Sequence, residues 1–240
     1  VTTGIKNTLI GGLAGDALTT GLNHTALGYA SLSSETTGRA AVAIGYRALT
    51  ALNVGSNLES YNVAVGHDAG AAMTTGVRNT IIGGLAGDAL TDADDNIAIG
   101  QAALGVDTLG SKSVAIGRAS LANQNFTSAT DTYNTAVGHN AGLSVTTGNQ
   151  NTLLGGLSGD AITTGGGNTI VGYNNSAPAV DNNFSIIMGT GVTGVGGDNF
   201  TFGRGTIDSN IAFGATSISA PSDERMKEDV VSSTAGLAFV

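Results

Sequence analysis

The chain has no cysteine, no tryptophan and only two prolines in 240 residues, and only 11% of its residues are charged. Without cysteine there is neither a disulfide framework nor a thiolate metal site, and the redox compartment stays undetermined. No run of some 18 apolar residues is present to span a bilayer, and no charged-then-apolar leader opens the chain. The chain begins inside a repeat, at VTTGIKNT, and is expected to be a piece of something longer. Nine basic residues stand against eighteen acidic ones, for a net charge of −9, and the basic ones are scattered singly. That pattern disfavours nucleic acid, whose phosphates need a clustered basic face. Aromatic residues make up 5%, which argues against an ordinary globular core.

What the sequence has in abundance is glycine, 38 residues, and it falls on a period. NTLIGGLAGDAL at Asn7–Leu18 returns as NTIIGGLAGDAL at Asn79–Leu90 and NTLLGGLSGDAI at Asn151–Ile162, each return 72 residues on. Between the copies an aliphatic residue followed by glycine recurs at Gly28, Gly45, Gly66, Gly100, Gly117, Gly138 and Gly172. From Gly11 to Gly189 the spacing is 17 residues, broken twice by 21. A fixed short period is the signature of a solenoid in which each repeat is one coil stacked on the last. At an inter-strand spacing of about 4.8 Å, the stack is a rod roughly 50 Å long.

Counting each anchor glycine as position 0, position −1 is always large and apolar (Ile10, Leu27, Ile44, Val65 and onward), and is expected to form the core. Position −3 is always β-branched, which favours extended backbone, so −3 to −1 is read as a short strand. Position +3 stays small, Ala or Ser through most coils, where a second wall must approach closely. Position +10 is usually glycine after Thr-Thr, read as a turn with positive φ.

The two 21-residue coils carry an added segment before a Tyr-Asn pair, ending at Asn62 and Asn134. Four extra residues should bulge outward without breaking the stack. Tyr61 and Tyr133 thereby become candidate receptor-binding residues, because exposed tyrosine suits sugar faces and protein interfaces; the plainer reading makes each a local prop. From Asn174 the spacing shortens to 14 and 11, and Phe replaces aliphatic residues, with Phe184, Phe200, Phe202, Phe213 and Phe239 being five of the six in the chain. This stretch reads as a neck with an aromatic core. SDERMKEDVV, from Ser222, is the one segment resembling a helix start.

Other motifs fall short of a site. GGLAGDAL approaches a calcium-binding nonapeptide, but its copies lie 72 residues apart and no adjacent turn completes a site. Asp92, Asp94 and Asp95 read as a solvated acidic turn. Ile-Gly-x-x-Ala echoes the hexapeptide repeat of β-helical acyltransferases, yet Asp16, Glu35 and Asp107 stand where an aliphatic residue should continue. Thr-Thr pairs are too interrupted for an ice-binding ladder. His24, His67 and His139 lack companions at metal-ligand spacing and are read as surface residues, so no metal and no cofactor is expected.

The unit NTxIGxxAGxxxTTGxx resembles the repeats of bacteriophage tail-fibre proteins and of related fibres on some bacteria. It is also similar to the left-handed β-roll heads of trimeric autotransporter adhesins, which use a shorter unit. SDERMK, Ser222 to Lys227, resembles the opening SDxRxK of the intramolecular chaperone that ends many phage tail spikes and fibres, including endosialidases. The resemblance implies a homotrimer whose chaperone cuts itself off, with Ser222 as nucleophile, Lys227 as its base and Ser222–Asp223 as the scissile bond. Read locally, Ser222 is a helix N-cap with Asp223 and Glu224 in the first turn, and both roles can hold at once.

The expectation is an all-β chain: a β-solenoid shaft over residues 1–173, a Phe-rich neck over 174–221, and the start of a chaperone region over 222–240. By the resemblance it is a homotrimeric phage tail fibre that binds a host glycan or outer-membrane receptor and is not embedded in a membrane. A bacterial surface fibre or trimeric adhesin is the alternative. A spike that degrades polysaccharide is a further one, and would need paired carboxylates in a groove.

Overall fold

The computed structural model describes residues 1–55 and 58–215. Among these residues the chain is all-β, without a helix. In chain order the strands are β1 (Thr8–Ile10), β2 (Thr25–Leu27), β3 (Val42–Ile44), β4 (Val63–Val65), β5 (Thr80–Ile82), β6 (Ile97–Ile99), β7 (Gly110–Ser111) and β8 (Val114–Ile116). They continue with β9 (Thr130–Asp131), β10 (Thr135–Val137), β11 (Thr152–Leu154), β12 (Thr169–Tyr173), β13 (Ile186–Thr190), β14 (Asn199–Arg204) and β15 (Ile207–Ala212). All but β7 and β9, which pair with each other, join one 13-stranded sheet.

Each coil from Gly11 to Gly189 contributes one strand ending just before its anchor glycine or one residue past it, so the expected strand is where the sequence puts it. Coil follows coil in parallel register, Thr8 against Thr25 and Ile97 against Val114. The long coils keep that register, Val42 against Val63 and Val114 against Thr135. Four inserted residues leave the ladder untouched. The parallel order runs through β14, and β15 then turns back antiparallel on it.

The core does not sit at position −1. Successive side chains of a strand point to opposite faces, so −2 faces inward while −3 and −1 face out. The buried residues are Ala26, Ala43, Ala64, Ile81, Ala98, Ala115, Ala136, Leu153, Ile170 and Ile187, all at −2, whereas Ile10 at −1 is 57% exposed. Position −2 is mostly alanine and so does not stand out as apolar in the sequence: the coil is thin, and a large residue fits there only where another position yields. Position +4 yields. Coils with Leu9, Ile81 or Leu153 at −2 carry Gly15, Gly87 or Gly159 at +4, and coils with Ala26, Ala43, Ala98 or Ala115 carry Leu32, Leu49, Leu104 or Leu121. Position +3 is small and buried, as expected (Ala48, Ala69, Ala86, Ala103, Ser120).

The anchor glycines have φ between 121° and 143° through the repeats, and a Cβ on Gly100 would lie 2.4 Å from the carbonyl oxygen of Gly117 in the next coil. The +10 glycines are different, and the turn expected there is not left-handed: of Gly21, Gly38, Gly55, Gly76, Gly110, Gly148 and Gly165 only Gly55 has positive φ. Most are instead places of close approach. A Cβ on Gly148 would lie 2.3 Å from the oxygen of Gly165. The left-handed corners fall at −5, +2 and +4, where residues as varied as Lys6, Tyr61, Arg47 and Leu104 take φ near 50–60°.

No aromatic core forms within the chain over the described part of 174–215. Phe184 and Phe213 are exposed, while Phe200 and Phe202 are half-buried with ring centroids 5.0 Å apart. The buried phenylalanine is Phe126, in the second long coil. Ser222, Lys227, Phe239 and the expected helix start lie outside the described residues.

Candidate interaction surfaces

The surfaces are held in place by polar files inside the rod. Position −4 is asparagine in seven coils, at Asn7, Asn62, Asn79, Asn96, Asn134, Asn151 and Asn168. Each accepts a hydrogen bond on Oδ1 from the backbone N–H of the next coil: Asn96 to Asn79 at 2.9 Å, Asn151 to Asn134 at 2.9 Å. Each donates from Nδ2 to the carbonyl 14 residues on, as Asn62 does to Gly76 at 2.7 Å. The amides, all fully buried but that of the partly exposed Asn7, are thus satisfied coil by coil.

His24 occupies this file in place of asparagine and is 1% exposed, which corrects its reading as a surface residue. Its Nε2 lies 2.8 Å from the Gly38 oxygen, and its Nδ1 accepts the Ala41 N–H at 3.2 Å. The neutral ring protonated on Nε2 does the asparagine's two jobs, and burial holds its pKa below the ordinary value.

Two buried carboxylates explain how the long coils are tolerated. Glu35 Oε1 accepts the N–H groups of Thr36, Thr37 and Gly38, at 2.9, 3.2 and 2.7 Å, and its Oε2 accepts that of Val54 at 3.2 Å. Asp107, 72 residues later, accepts the N–H of Gly110 at 3.1 Å and of Phe126 at 2.9 Å, while Gln124 donates to it at 2.5 Å. Burial pushes the Asp107 carboxyl above its usual range, an effect its hydrogen bonds partly offset. Val54 and Phe126 stand at the same place, the root of each insertion, so a carboxylate from the preceding coil clamps each one.

Tyr61 and Tyr133 stand at position −5, left-handed and more than half exposed. Along the rod this row reads Tyr61, Arg78, Asp95, Lys112, Tyr133, so the tyrosines bracket a run of ion pairs about 19 Å long at four coil rises. Arg78 grips Asp95 through two bonds of 2.6 and 3.1 Å, lowering the Asp95 pKa. Lys112 donates to Asp131 at 2.5 Å and lies 5.4 Å from the centroid of the Tyr133 ring. The Tyr61 hydroxyl donates to Glu59, and the Tyr133 hydroxyl lies 3.3 Å from Asp131. Asp92 and Asp94 are tied down as well: Thr75 donates to Asp92 at 2.6 Å and the Val77 N–H to Asp94 at 2.8 Å. Among the described residues no group of three or more His, Asp or Glu is placed to hold a metal ion.

Two outer rows were not anticipated. One is the aliphatic file at −1, from Ile10 to Met188, backed by the Thr, Val and Ile file at −3. Every side chain of both files is at least partly exposed, none is charged, and together they cover one face of the sheet. The constant hydrophobicity that signals a core belongs here to a surface. The other is at +1, where the rings of Tyr29, Tyr46 and His67 stack on one another in consecutive coils. In the longer strands β12 and β13 the +1 residue is paired in the sheet, so this row borders the aliphatic face.

Comparison with protein-family models, with curated proteins and with solved structures gives no match.

Proposed function

We propose that the chain is the shaft of a homotrimeric fibre for attachment, a phage tail fibre, with a bacterial surface fibre as the alternative carrier. The observation that carries this reading is the uncharged aliphatic face at −3 and −1. It is about 50 Å long and about 10 Å wide, at the upper end of the apolar patch a monomer exposes. Its rows repeat with the pitch of the coil, so a second copy of the chain in parallel offers a surface of identical pitch, and three copies around one axis cover all three faces. The exposed Phe184 and Phe213 extend the same need for covering beyond the last regular coil. The rigid, glycine-rich rod suits a spacer that holds contact residues such as Tyr61 and Tyr133 away from the carrier. A host glycan or outer-membrane receptor is the partner this reading assigns them, and multivalency converts weak contacts into useful avidity. Self-cleavage at Ser222, assisted by Lys227, belongs to the same proposal through the SDERMK motif.

The test is the mass of the purified product under native and denaturing conditions. A native trimer is expected, with denatured chains ending at Ser222 if the cleavage operates. A native monomer overturns the fibre reading.

A further inference from the structure

We infer that the stacked rings of Tyr29, Tyr46 and His67 form a binding ledge for a neutral oligosaccharide. The inference takes the attachment reading as its premise and names a partner chemistry for a surface distinct from the long coils. Tyr29 and Tyr46 are 52% and 45% exposed, with ring centroids 5.6 Å apart and planes within 14°; Tyr46 and His67 follow at 5.0 Å and 19°. Beneath the ladder the backbone is fixed by coil-to-coil bonds, Arg47 N–H to Tyr29 oxygen and Asp68 N–H to Tyr46 oxygen, both 2.9 Å. The ledge is therefore organised before anything binds.

The chain carries its own control for what the coil requires. In the next 72-residue block the same positions hold Gln101, Arg118 and His139, and the backbone bonds are the same: Ala119 N–H to Gln101 oxygen and Asn140 N–H to Arg118 oxygen, again 2.9 Å. Aromatic rings at +1 are thus not needed to build the rod. They are free to serve a ligand.

The chemistry favours a neutral sugar chain. Pyranose rings present C–H faces that pack on aromatic carbon and hydroxyls that need donors and acceptors, and tyrosine supplies both. His67 Nδ1 lies 3.0 Å from Asp68 Oδ2 on a side chain that stays largely exposed, and the Asp68 carboxylate is also 3.5 Å from Arg47, so the local charges offset each other. The row ends on glycine at both sides, Gly12 and Gly84, neither of which places a side chain over the terminal rings. An open ledge three coils long suits an extended chain better than a compact molecule.

The experiment is saturation-transfer NMR on the intact protein with neutral tetrasaccharides of glucose, galactose, mannose and N-acetylglucosamine. It compares the parent with Tyr29→Gln/Tyr46→Arg, which installs the second block's own residues. Transfer from the protein to ring C–H protons of at least one sugar is expected, at least tenfold weaker in the variant at unchanged melting temperature. The reciprocal variant, Gln101→Tyr/Arg118→Tyr, should gain transfer. Absence of transfer for the whole panel overturns the inference, as does equal binding by the variant. A change in native mass also overturns it, because the ledge would then belong to the contact between copies. A trimer that binds no sugar removes this inference and leaves the fibre reading standing; a monomer that binds sugar does the reverse.

Discussion

Leu153 and Gly159 meet across a single coil: a Cβ on Gly159 would lie 2.6 Å from Cδ2 of Leu153. This coil holds its large residue at −2; where both positions are small, as in Ala64 with Gly70 and Ala136 with Gly142, side chains of the neighbouring coils reach the same space, Leu49 and Ile81 at Gly70, Leu121 and Leu153 at Gly142. In Ala98 and Leu104 the assignment is reversed.

That reversal predicts a compensating pair. Ala98→Leu overpacks a closed interior and should cost about 1–3 kcal/mol. Adding Leu104→Gly gives the coil the arrangement of Leu153 and Gly159, at a φ of 51° where glycine is at ease, and should recover most of the loss. Thermal melting of the two variants decides it; a double variant no better than the single one refutes the complementarity.

Asn151→Ala should destabilise by about 2–4 kcal/mol, because it strands a buried N–H and a buried carbonyl at once. Asn168 N–H loses its acceptor at 3.1 Å and the Gly165 oxygen its donor at 3.0 Å. Hydrogen exchange should accelerate at Asn168 before it does so at distant coils, since each coil depends on its neighbours.

Stability should fall as pH drops below neutrality. The folded pKa of His24 is below the ordinary 6.5, so the unfolded chain takes up the proton first and folding is penalised as pH falls through 6.5 towards the folded value. The slope is at most about 1.4 kcal/mol per pH unit for one group. His24→Asn, which installs the residue found at this position in seven other coils, should flatten this part of the profile. Comparing the two proteins isolates His24 from Asp107, whose raised pKa acts in the opposite sense. An unchanged profile in the variant would count against the buried-histidine account.

Removing a clamp should loosen an insertion and little else. Glu35→Ala leaves four backbone N–H groups without their acceptor, Val54 among them. Limited proteolysis should then cut the first long coil earlier than the second, and Asp107→Ala should invert that order.

Ile99→Lys places a charge on the outward face, and because its side chain points away from the core the coil should still form. Native mass should shift from trimer towards monomer at unchanged secondary structure by circular dichroism. A trimer that tolerates the lysine would place the contact between copies elsewhere.

Much of the architecture was legible because one residue type, glycine, is irreplaceable at position 0, where left-handed backbone and contact with the next coil coincide. The strand at −3 to −1, the small +3 residue and the harmless insertions all followed. The inside and the outside did not. Side-chain alternation over three residues makes −1 an outward position, but its unbroken file of Ile, Val and Leu imitates a core. Part of the true core is masked by alanine at −2, and its large members at +7, Leu18, Leu52, Met73, Leu90 and Ile162, share a file with the polar Glu35, Asp107 and Gln124. Asn79, Glu35 and Asp107 were equally silent as interior residues, since polar side chains are ordinarily read as surface, and only the backbone groups they meet in adjacent coils reveal why they are buried. The ledge of Tyr29, Tyr46 and His67 is invisible without the register that stacks residues 17 and 21 apart.

The file of buried asparagines has a thermodynamic consequence. Heat capacity rises on unfolding with the apolar surface released and falls with the polar surface released. Beside its buried leucine, isoleucine and methionine side chains, this rod buries Asn62, Asn79, Asn96, Asn134, Asn151 and Asn168, so unfolding releases polar surface together with apolar. The buried amides offset part of the heat-capacity rise, so stability bends with temperature less steeply than it would with an apolar side chain in each of their places.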